Sequence, residues 1–296
     1  MRLPFIKTIA LFAFSLLTLA PAHAEQRITV KTADGPREAI LSPAQKPGPN
    51  PTIIILHGAT ISAERMVRAS GFAEAAAERG FTAVFPEGKA QRWNDARAIG
   101  RSNVDDVGFL NALAHQLIAA KIADPTRLYL AGISNGGMMA FTMICEPQSP
   151  FTGIATVISS MPTSLEATCH PPRPLSIVMM NGTSDPMVPF GGGKVGFLGR
   201  RGTVLGVERT AEIFAKAEGC GSYTQAMLPK ANNGEKTHVK LLNWTGCVPG
   251  SSLRLYEVLG GGHQIPGGPT FIPFVFGSPN HDIKAANEIL EAFSGS

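Results

Sequence analysis

The sequence lacks the charge excess and the cysteine spacing that mark nucleic-acid-binding and metal-binding domains. Its 26 basic and 22 acidic residues leave a net charge of only +4, and no basic run is longer than Arg200-Arg201. A nucleic-acid-binding surface needs a concentrated basic patch, so nucleic acid is not an expected partner. None of the four cysteines forms a C-x-x-C pair, which excludes zinc-ribbon and thioredoxin-like sites. We expect neither a metal nor a cofactor.

The chain also has no apolar run long enough to cross a membrane, which takes about 20 residues. One apolar stretch, Ile9 to Leu19, follows the basic residues Arg2 and Lys7 and precedes a small-residue Ala22-His-Ala24 site. This order is typical of a cleaved secretory signal. We therefore expect residues 1–24 to be removed and the mature protein to be secreted, either to the periplasm or outside the cell, without a membrane anchor.

Secretion changes what the four cysteines predict. An even number in an oxidising compartment favours two disulfide bonds, with four buried free thiols as the alternative. Of the three possible connectivities we favour Cys145–Cys169 and Cys220–Cys247, because each closes a short local loop. In the chain-entropy view a loop of about 25 residues makes each bond worth about 3.5 kcal/mol.

Glycine and proline are abundant, at 32 and 23 of 296 residues, while 44% of the residues are hydrophobic. A hydrophobic fraction of this size argues against disorder, so the chain is expected to be globular and rich in loops. Residues 27–41 alternate apolar and polar side chains around Asp34-Gly35, which predicts an edge hairpin. Buried strands and helices then alternate, which predicts one α/β domain over residues 25–296 with a doubly wound, mostly parallel sheet. The strands are predicted at 52–56, 81–85, 128–131, 154–158, 175–180 and 253–258, and the helices at 64–79, 105–121, 134–144, 207–217 and 283–293.

The motif Gly132-Ile-Ser134-Asn-Gly136 matches G-x-S-x-G and lies between a predicted strand and a predicted helix. This is the setting of a nucleophile elbow, a tight turn that exposes a serine hydroxyl above the sheet. Side chains at 132 and 136 would collide with the neighbouring strand and helix, which explains the glycines. The alternative is an ordinary glycine-rich turn.

A nucleophilic serine needs a base and an orienting acid, which follow it in the order serine, acid, histidine in this architecture. Asp185 is the predicted acid, because it follows a buried strand and the only later aspartate, Asp282, comes after the last histidine. Glu257 is the reserve acid. His263 is the predicted base, because its flexible glycine-rich loop lets an imidazole reach the serine. The other candidate bases are His170, which precedes Asp185, and His238 and His281, which look like loop or element-edge residues.

An oxyanion hole is expected from the backbone N–H groups of Ala59 and Asn135. Ala59 follows the first buried strand, and Asn135 follows the serine. His57, two residues before Ala59, is predicted to stabilise its loop by hydrogen bonds rather than to act as a catalyst. Trp93 is predicted either to line the acyl pocket or to pack in the core.

Five motifs of the sequence belong together. They are Leu56-His-Gly58, Val104-Asp-Asp-Val-Gly-Phe109, Gly132-Ile-Ser-Asn-Gly-Gly-Met-Met139, Gly182-Thr-Ser-Asp-Pro-Met-Val-Pro189 and Gly260-Gly-Gly-His263. In this order they resemble the secreted polyhydroxybutyrate depolymerase and feruloyl esterase group of α/β-hydrolases. The resemblance covers residues 28 to about 294, and it implies an α/β-hydrolase fold with Ser134 as nucleophile, Asp185 as triad acid and His263 as base. It also supports both cysteine pairings.

The sequence departs from this group in two ways. Ile265 stands where the family usually has an aromatic residue that contacts substrate, and no C-terminal substrate-binding module is recognisable. Together the motifs predict a secreted serine esterase that forms an acyl-enzyme. Its expected partner is an ester, either a hydroxyalkanoate oligomer or an acyl ester linked to a polysaccharide. The alternatives are a peptidase on the same fold and a non-catalytic binding protein.

Overall fold

Ten β-strands of the protein form one sheet. The structure, a computed structural model, describes residues 25–97, 103–231 and 233–295, so the predicted signal at 1–24 lies outside the described residues. The strands are β1 (Gln26–Thr32), β2 (Gly35–Ser42), β3 (Asn50–Leu56), β4 (Thr82–Pro86), β5 (Ala123–Ile133), β6 (Gly153–Val157), β7 (Ser176–Gly182), β8 (Gly193–Lys194), β9 (Thr203–Val204), β10 (Tyr223–Met227), β11 (His238–Trp244) and β12 (Ser252–Leu259). All except β8 and β9, which pair with each other, belong to the sheet, in the order β1-β2-β4-β3-β5-β6-β7-β12-β11-β10.

The six inner strands, from β4 to β12 in this order, are parallel. The hairpin β1–β2 joins β4 antiparallel, as the alternating sequence around Asp34-Gly35 predicts. Strands β11 and β10 extend the other edge antiparallel. The predicted α/β class with a mostly parallel sheet and an N-terminal antiparallel hairpin is confirmed. Parallel strands end at one common edge of the sheet, where ligands bind in such folds.

Helices cover both faces of the sheet because the inner strands are apolar on both faces. On β3, Ile53 and Ile55 pack with α1, α2 and α7, whereas Ile54 and Leu56 pack with α3, α4 and α5. Among the described residues no helix is long and apolar enough to span a membrane. The helices are α1 (Ala63–Ser70), α2 (Phe72–Glu78), α3 (Asp106–Ala119), α4 (Asn135–Cys145), α5 (Val207–Ala217), α6 (Pro273–Phe276) and α7 (Ala285–Ser294).

The short elements β8, β9 and α6 are absent from the prediction, and two larger parts of the fold also differ from it. The helix predicted at 64–79 is two helices, because Gly71 adopts a left-handed conformation with φ of 73° and ends α1. Strands β10 and β11 are absent from the predicted strands. All five residues of β10 are exposed, so this edge strand carries no buried apolar pattern from which it could be recognised.

Candidate active site

Ser134 lies at the sharp turn between β5 and α4. Its φ of 53° and ψ of −116° are strained for a residue with a side chain. The turn is held by a hydrogen bond from Ser134 N to Val157 O of 2.9 Å. A Cβ on Gly132 would collide with the carbonyl of Gly136, and a Cβ on Gly136 would lie 2.5 Å from Leu56 O. The two glycines therefore allow the strand and the helix to approach closely enough to form the turn.

The structure brings together the three side chains predicted to form a triad. His263 Nε2 lies 3.0 Å from Ser134 Oγ, and His263 Nδ1 lies 2.7 Å from Asp185 Oδ2. An ionised carboxylate only accepts hydrogen bonds, so Nδ1 donates to Asp185 and the lone pair of Nε2 faces the serine hydroxyl. The imidazole is thus oriented to take the proton of Ser134.

Asp185 is itself fixed by backbone donors. Its Oδ1 accepts hydrogen bonds from Met187 N at 2.7 Å and Val188 N at 2.8 Å. Its side chain is only 1% exposed, and that of His263 is 11% exposed. Two amide donors and one imidazole donor leave this carboxylate little freedom to turn away from His263.

The loops that carry the acid and the base contact each other directly. Asp185 follows β7 and His263 follows β12, which are adjacent parallel strands. Ser184 N donates to Gly261 O at 2.9 Å, and Thr183 N donates to Val258 O at 3.0 Å. The backbones of the two loops are therefore joined without intervening side chains, which accounts for the short distance between Asp185 and His263.

The predicted oxyanion donors flank the serine. Asn135 is the first residue of α4, and the first N–H groups of a helix have no carbonyl partner within the helix. Ala59 lines the same cavity as Ser134 and Asn135, in the loop after β3. The partial positive charge of the helix N-terminus adds to the attraction for an anion at this point.

The side chain of Asn135 has a structural role that the sequence did not reveal. Its Oδ1 accepts from Trp93 N at 2.8 Å, and its Nδ2 donates to Trp93 O at 3.0 Å and to Asp95 Oδ2 at 2.6 Å. Asn135 thereby clamps the segment that forms one wall of the cavity. Its sequence separation of 42 residues from Trp93 leaves no local signal for this contact.

Trp93 both lines the cavity and packs in the core. The side chain is 4% exposed and stacks on Phe109 with ring centroids 6.5 Å apart. Its indole Nε1 donates to His57 O at 2.9 Å. The indole is therefore a fixed wall of the cavity.

His57 acts as a structural hydrogen-bonding residue, as expected for its loop. Its Nε2 accepts from Gly88 N at 2.9 Å, and its Nδ1 donates to Gly58 O at 2.8 Å. The side chain is fully buried, and burial lowers the pKa of the imidazole below its usual range. The neutral ring holds the loops after β3 and β4 together.

A buried ion pair between Arg37 and Asp106 supports the wall of the cavity that contains Trp93 and Asn94. Arg37 Nη2 donates to Asp106 Oδ1 at 2.8 Å, and Asn94 N donates to Asp106 Oδ2 at 2.7 Å. The Arg37 guanidinium also lies 4.1 Å from the centroid of the Phe109 ring. Burial raises the pKa of Asp106. In the sequence, Asp106 stands out only as part of the Val104–Phe109 motif, and the motif by itself predicts no role for it.

The remaining sequence candidates lie elsewhere. Glu257, the reserve acid, forms an ion pair with Lys240 at 2.5 Å within the sheet. His238 bonds to the backbone of Leu228, and His281 bonds to Glu235. Neither histidine contacts Ser134.

Ile265 does not contact the cavity. It is 5% exposed and belongs to the apolar cluster beneath α1, α2 and α7. Because the Ile265 side chain packs in the core, the structure does not support the predicted substrate contact at this residue.

The cysteines are joined as Cys145–Cys169 and Cys220–Cys247. The first bond ties the end of α4 to the segment before β7, and the second ties the segment after α5 to the segment after β11. Both bonds lie away from the cavity lining. Within the described residues, no group of three histidine, cysteine or acidic side chains is arranged to hold a metal ion.

A cavity of about 270 Å³ opens beside Ser134. Its walls come from the loop after β3, the segment that Asn135 clamps, and the β8–β9 hairpin. The cavity has the size of a small acyl or alcohol unit, and its lining is unusually rich in charge. The lining residues are Ala59, Lys89, Ala90, Arg92, Trp93, Asn94, Asp95, Arg97, Val104, Asp106, Ser134, Asn135, Met187, Val188, Val195 and Arg201.

The chain is similar to known esterases. No family model matches the chain. The protein named "Putative esterase NocK", from Nocardia uniformis subsp. tsuyamanensis, is 31% identical over 265 residues, which cover 84% of this chain and 75% of that protein. Feruloyl esterase B from Piromyces equi is 27% identical over 220 residues, or 72% of this chain. The match spans only 39% of the length of that relative.

The fold has a counterpart of known structure. Acetyl xylan esterase from Aspergillus awamori superimposes with a TM-score of 0.62 at 13% sequence identity, over 92% of this chain and all of the other. At this identity the likeness establishes the fold alone. Together with the sequence relatives and the mostly parallel sheet, it shows that the chain belongs to the esterase family of α/β-hydrolases that includes NocK.

Proposed function

We propose that the protein is a secreted serine esterase in which Ser134, His263 and Asp185 form the catalytic triad. The observation that carries the proposal is the chain of hydrogen bonds from Ser134 Oγ through the His263 imidazole to the Asp185 carboxylate. A serine hydroxyl is a weak nucleophile alone and needs a base within hydrogen-bonding reach. The His263 imidazole is such a base, and its hydrogen bond to Asp185 orients Nε2 toward Ser134 Oγ.

The proposed reaction is ester hydrolysis in two steps, through an acyl-enzyme on Ser134. Ser134 Oγ attacks the ester carbonyl while His263 Nε2 takes its proton, and the same imidazole then protonates the leaving alcohol. The negative oxygen of the tetrahedral intermediate is bound by the N–H groups of Ala59 and Asn135, each worth about 3 kcal/mol in the transition state. Water activated by His263 then hydrolyses the acyl-enzyme, which restores Ser134.

Export is supported by the signal-like residues 1–24 and by the two disulfide bonds, which persist in oxidising compartments. The substrate class proposed is an acyl ester of the feruloyl type or a hydroxyalkanoate oligomer. The name of the Piromyces equi relative supports the first of these. Turnover of methyl ferulate, hydroxybutyrate oligomers and acetylated xylan, measured side by side, would separate them.

The triad is tested by Ser134→Ala. Hydrolysis of a short p-nitrophenyl ester is expected to fall by about 10⁴-fold or more, because the nucleophile is removed. Ser222→Ala is the matched control, since Ser222 is exposed and precedes the edge strand β10. Circular dichroism checks that both variants fold.

A fluorophosphonate probe gives an independent readout, because it labels only an activated serine. Labelling of wild type on the peptide that contains Ser134, and its loss in Ser134→Ala, is expected. Full esterase activity in Ser134→Ala would overturn the proposal. Absence of labelling in an active wild-type preparation would also contradict it.

A further inference from the structure

The cavity beside Ser134 carries more positive than negative side chains. Four basic residues and two acidic ones line it. The basic residues are Lys89, Arg92, Arg97 and Arg201, and the acidic ones are Asp95 and Asp106.

Most of these charges are already paired within the protein. Asp106 pairs with Arg37 at 2.8 Å, and Asp95 pairs with Arg97 at 2.7 Å. Both acids of the lining are therefore neutralised by guanidinium groups of the protein.

The remaining cations differ in their partners. Lys89 Nζ lies 2.8 Å from Asp34 Oδ2. Across the residues that the structure describes, neither Arg92 nor Arg201 has an ion-pair partner. Two exposed guanidinium groups thus remain free to bind a substrate at the cavity.

Arg201 is held in place by the cavity wall. Its N donates to Val195 O at 3.1 Å, and its O accepts from Arg97 Nη1 at 2.8 Å. Its side chain runs along Gly196, where an added Cβ would lie 3.2 Å from Arg201 Cδ. The β8–β9 hairpin therefore positions Arg201 through both its backbone and its side chain.

Arg92 follows a strained piece of backbone. Ala90 and Gln91 have φ values of 52° and 53°, in the left-handed region that residues with side chains avoid. Gln91 O accepts from Thr60 N at 2.9 Å, which ties this segment to the loop after β3. Strained backbone of this kind is concentrated at functional sites, where it fixes a side chain.

We propose that Arg92 and Arg201 bind a carboxylate of the substrate, so that the enzyme prefers esters that carry a free carboxylate near the scissile bond. The guanidinium is planar and pairs with carboxylates through two parallel hydrogen bonds. The inference rests on the proposed esterase function and extends it to substrate selection. An oligomer of a hydroxy acid with a free end and a half-ester of a dicarboxylic acid both carry this chemistry.

The test uses two matched pairs of esters at low ionic strength. One pair is the 3-hydroxybutyrate dimer and its terminal amide, which differ in charge on the alcohol side. The other is monomethyl glutarate and methyl glutaramate, which differ in charge on the acyl side. In at least one pair we expect wild type to favour the carboxylate by about 10-fold in kcat/KM, the size of one charge-assisted contact. Added salt should reduce this preference.

Variants of Arg92 and Arg201 test whether these two side chains cause the preference for the carboxylate. Arg92→Gln and Arg201→Gln should each reduce the carboxylate-to-amide ratio of kcat/KM several-fold, and the double variant should abolish it. Arg201→Lys, which keeps the charge but loses the planar geometry, should give an intermediate ratio. Arg200→Gln is the matched control, because Arg200 is the exposed neighbour that does not line the cavity.

The outcomes separate the two proposals. In one outcome, wild type uses Ser134 to hydrolyse the ester bond of the neutral, amide-bearing compounds and shows no preference in either pair. This result would overturn the carboxylate inference and leave the esterase proposal intact. A preference that survives in the double variant would also overturn the inference. Loss of all hydrolysis in wild type would instead contradict the esterase proposal.

Discussion

At the scale of single residues, the backbone of Ser134 decides where its hydroxyl lies. The conformation with φ of 53° lifts Oγ out of the line of α4 and places it 3.0 Å from His263 Nε2. The turn can form because positions 132 and 136 carry no Cβ, which would collide with Gly136 O and with Leu56 O. Asp185 then fixes the imidazole, with two of its own hydrogen bonds to backbone donors.

Replacement of the acid tests this orientation. In Asp185→Asn we expect kcat for a p-nitrophenyl ester to fall by about 10³- to 10⁴-fold, because the amide no longer stabilises the imidazolium and favours the wrong tautomer of His263. Steady-state kinetics at pH 7–8 provide the measurement. Asp124→Asn, at the start of β5 and outside the cavity lining, is the control and should retain wild-type kcat. An Asp185→Asn enzyme within about 10-fold of wild type would contradict the assigned role.

At the scale of elements, the helix that begins beside the serine is anchored at both ends. Its N-terminus approaches β3 through Gly136, and Asn135 bonds to the wall segment at Trp93. Its C-terminus is tied by Cys145 to Cys169. Because α4 carries Ser134 at its start, anchoring the helix keeps the Ser134 hydroxyl in position relative to the loops after β7 and β12.

Removal of that anchor has a predictable cost. The double variant Cys145→Ala/Cys169→Ala should lower the free energy of unfolding by about 3.5 kcal/mol, because the unfolded chain regains the entropy of a loop closed over 24 residues. Urea denaturation followed by fluorescence measures the change. Cys220→Ala/Cys247→Ala removes a bond that closes a loop of similar length, over 27 residues, and serves as the comparison. A change below about 1 kcal/mol would contradict the loop-entropy account.

At the scale of the whole molecule, a histidine far from the triad links two long segments. His281 Nδ1 lies 2.5 Å from Glu235 Oε1, and His281 Nε2 lies 3.1 Å from Gly268 O. The bond joins the connection between β10 and β11 to the segment that runs from His263 to α7. The hydrogen bond with Glu235, together with nearby Asp282, raises the pKa of His281 above its usual range.

This raised pKa predicts how stability depends on pH. The contact stabilises the fold fully below the unfolded-state value of about 6.5, and the contribution is lost as pH rises through the folded-state pKa. His281→Gln should therefore lower stability more at pH 5.5 than at pH 9, as measured by urea denaturation. His115→Gln, at an exposed site on α3, is the control and should show no such trend. An equal loss at both pH values would contradict the ionic role of His281.

Much of the fold is readable from local patterns. The runs at 52–56 and 128–131 are β-branched or hydrophobic at every position, and this indicates strands that are buried on both faces. The break at Gly71 and the exposed strand β10 were missed for opposite reasons. Gly71 interrupts an otherwise continuous helical pattern through its backbone alone, whereas β10 has no buried face that would produce a pattern.

The candidate site likewise has one part that the sequence predicts and another that it does not. Chain order and turn chemistry were enough to select Ser134, Asp185 and His263 as candidates, because only two aspartates and four histidines follow the serine. The wall of the cavity was not predictable. Its contacts join Asn135 to Trp93 and Arg37 to Asp106, across 42 and 69 residues, and no periodicity or turn motif encodes such a pairing.

The sequence by itself determined the class of fold and the identity of the three proposed catalytic residues, because short-range periodicity and tight turns depend on neighbouring residues. Only the tertiary structure decided which side chains surround the serine. It placed Ile265 in the core and neutralised Asp95 and Asp106 with internal partners, while Arg92 and Arg201 have no ion-pair partner among the residues it describes. Charge balance in a cavity depends on loops that are distant in the chain and meet only when the sheet has formed.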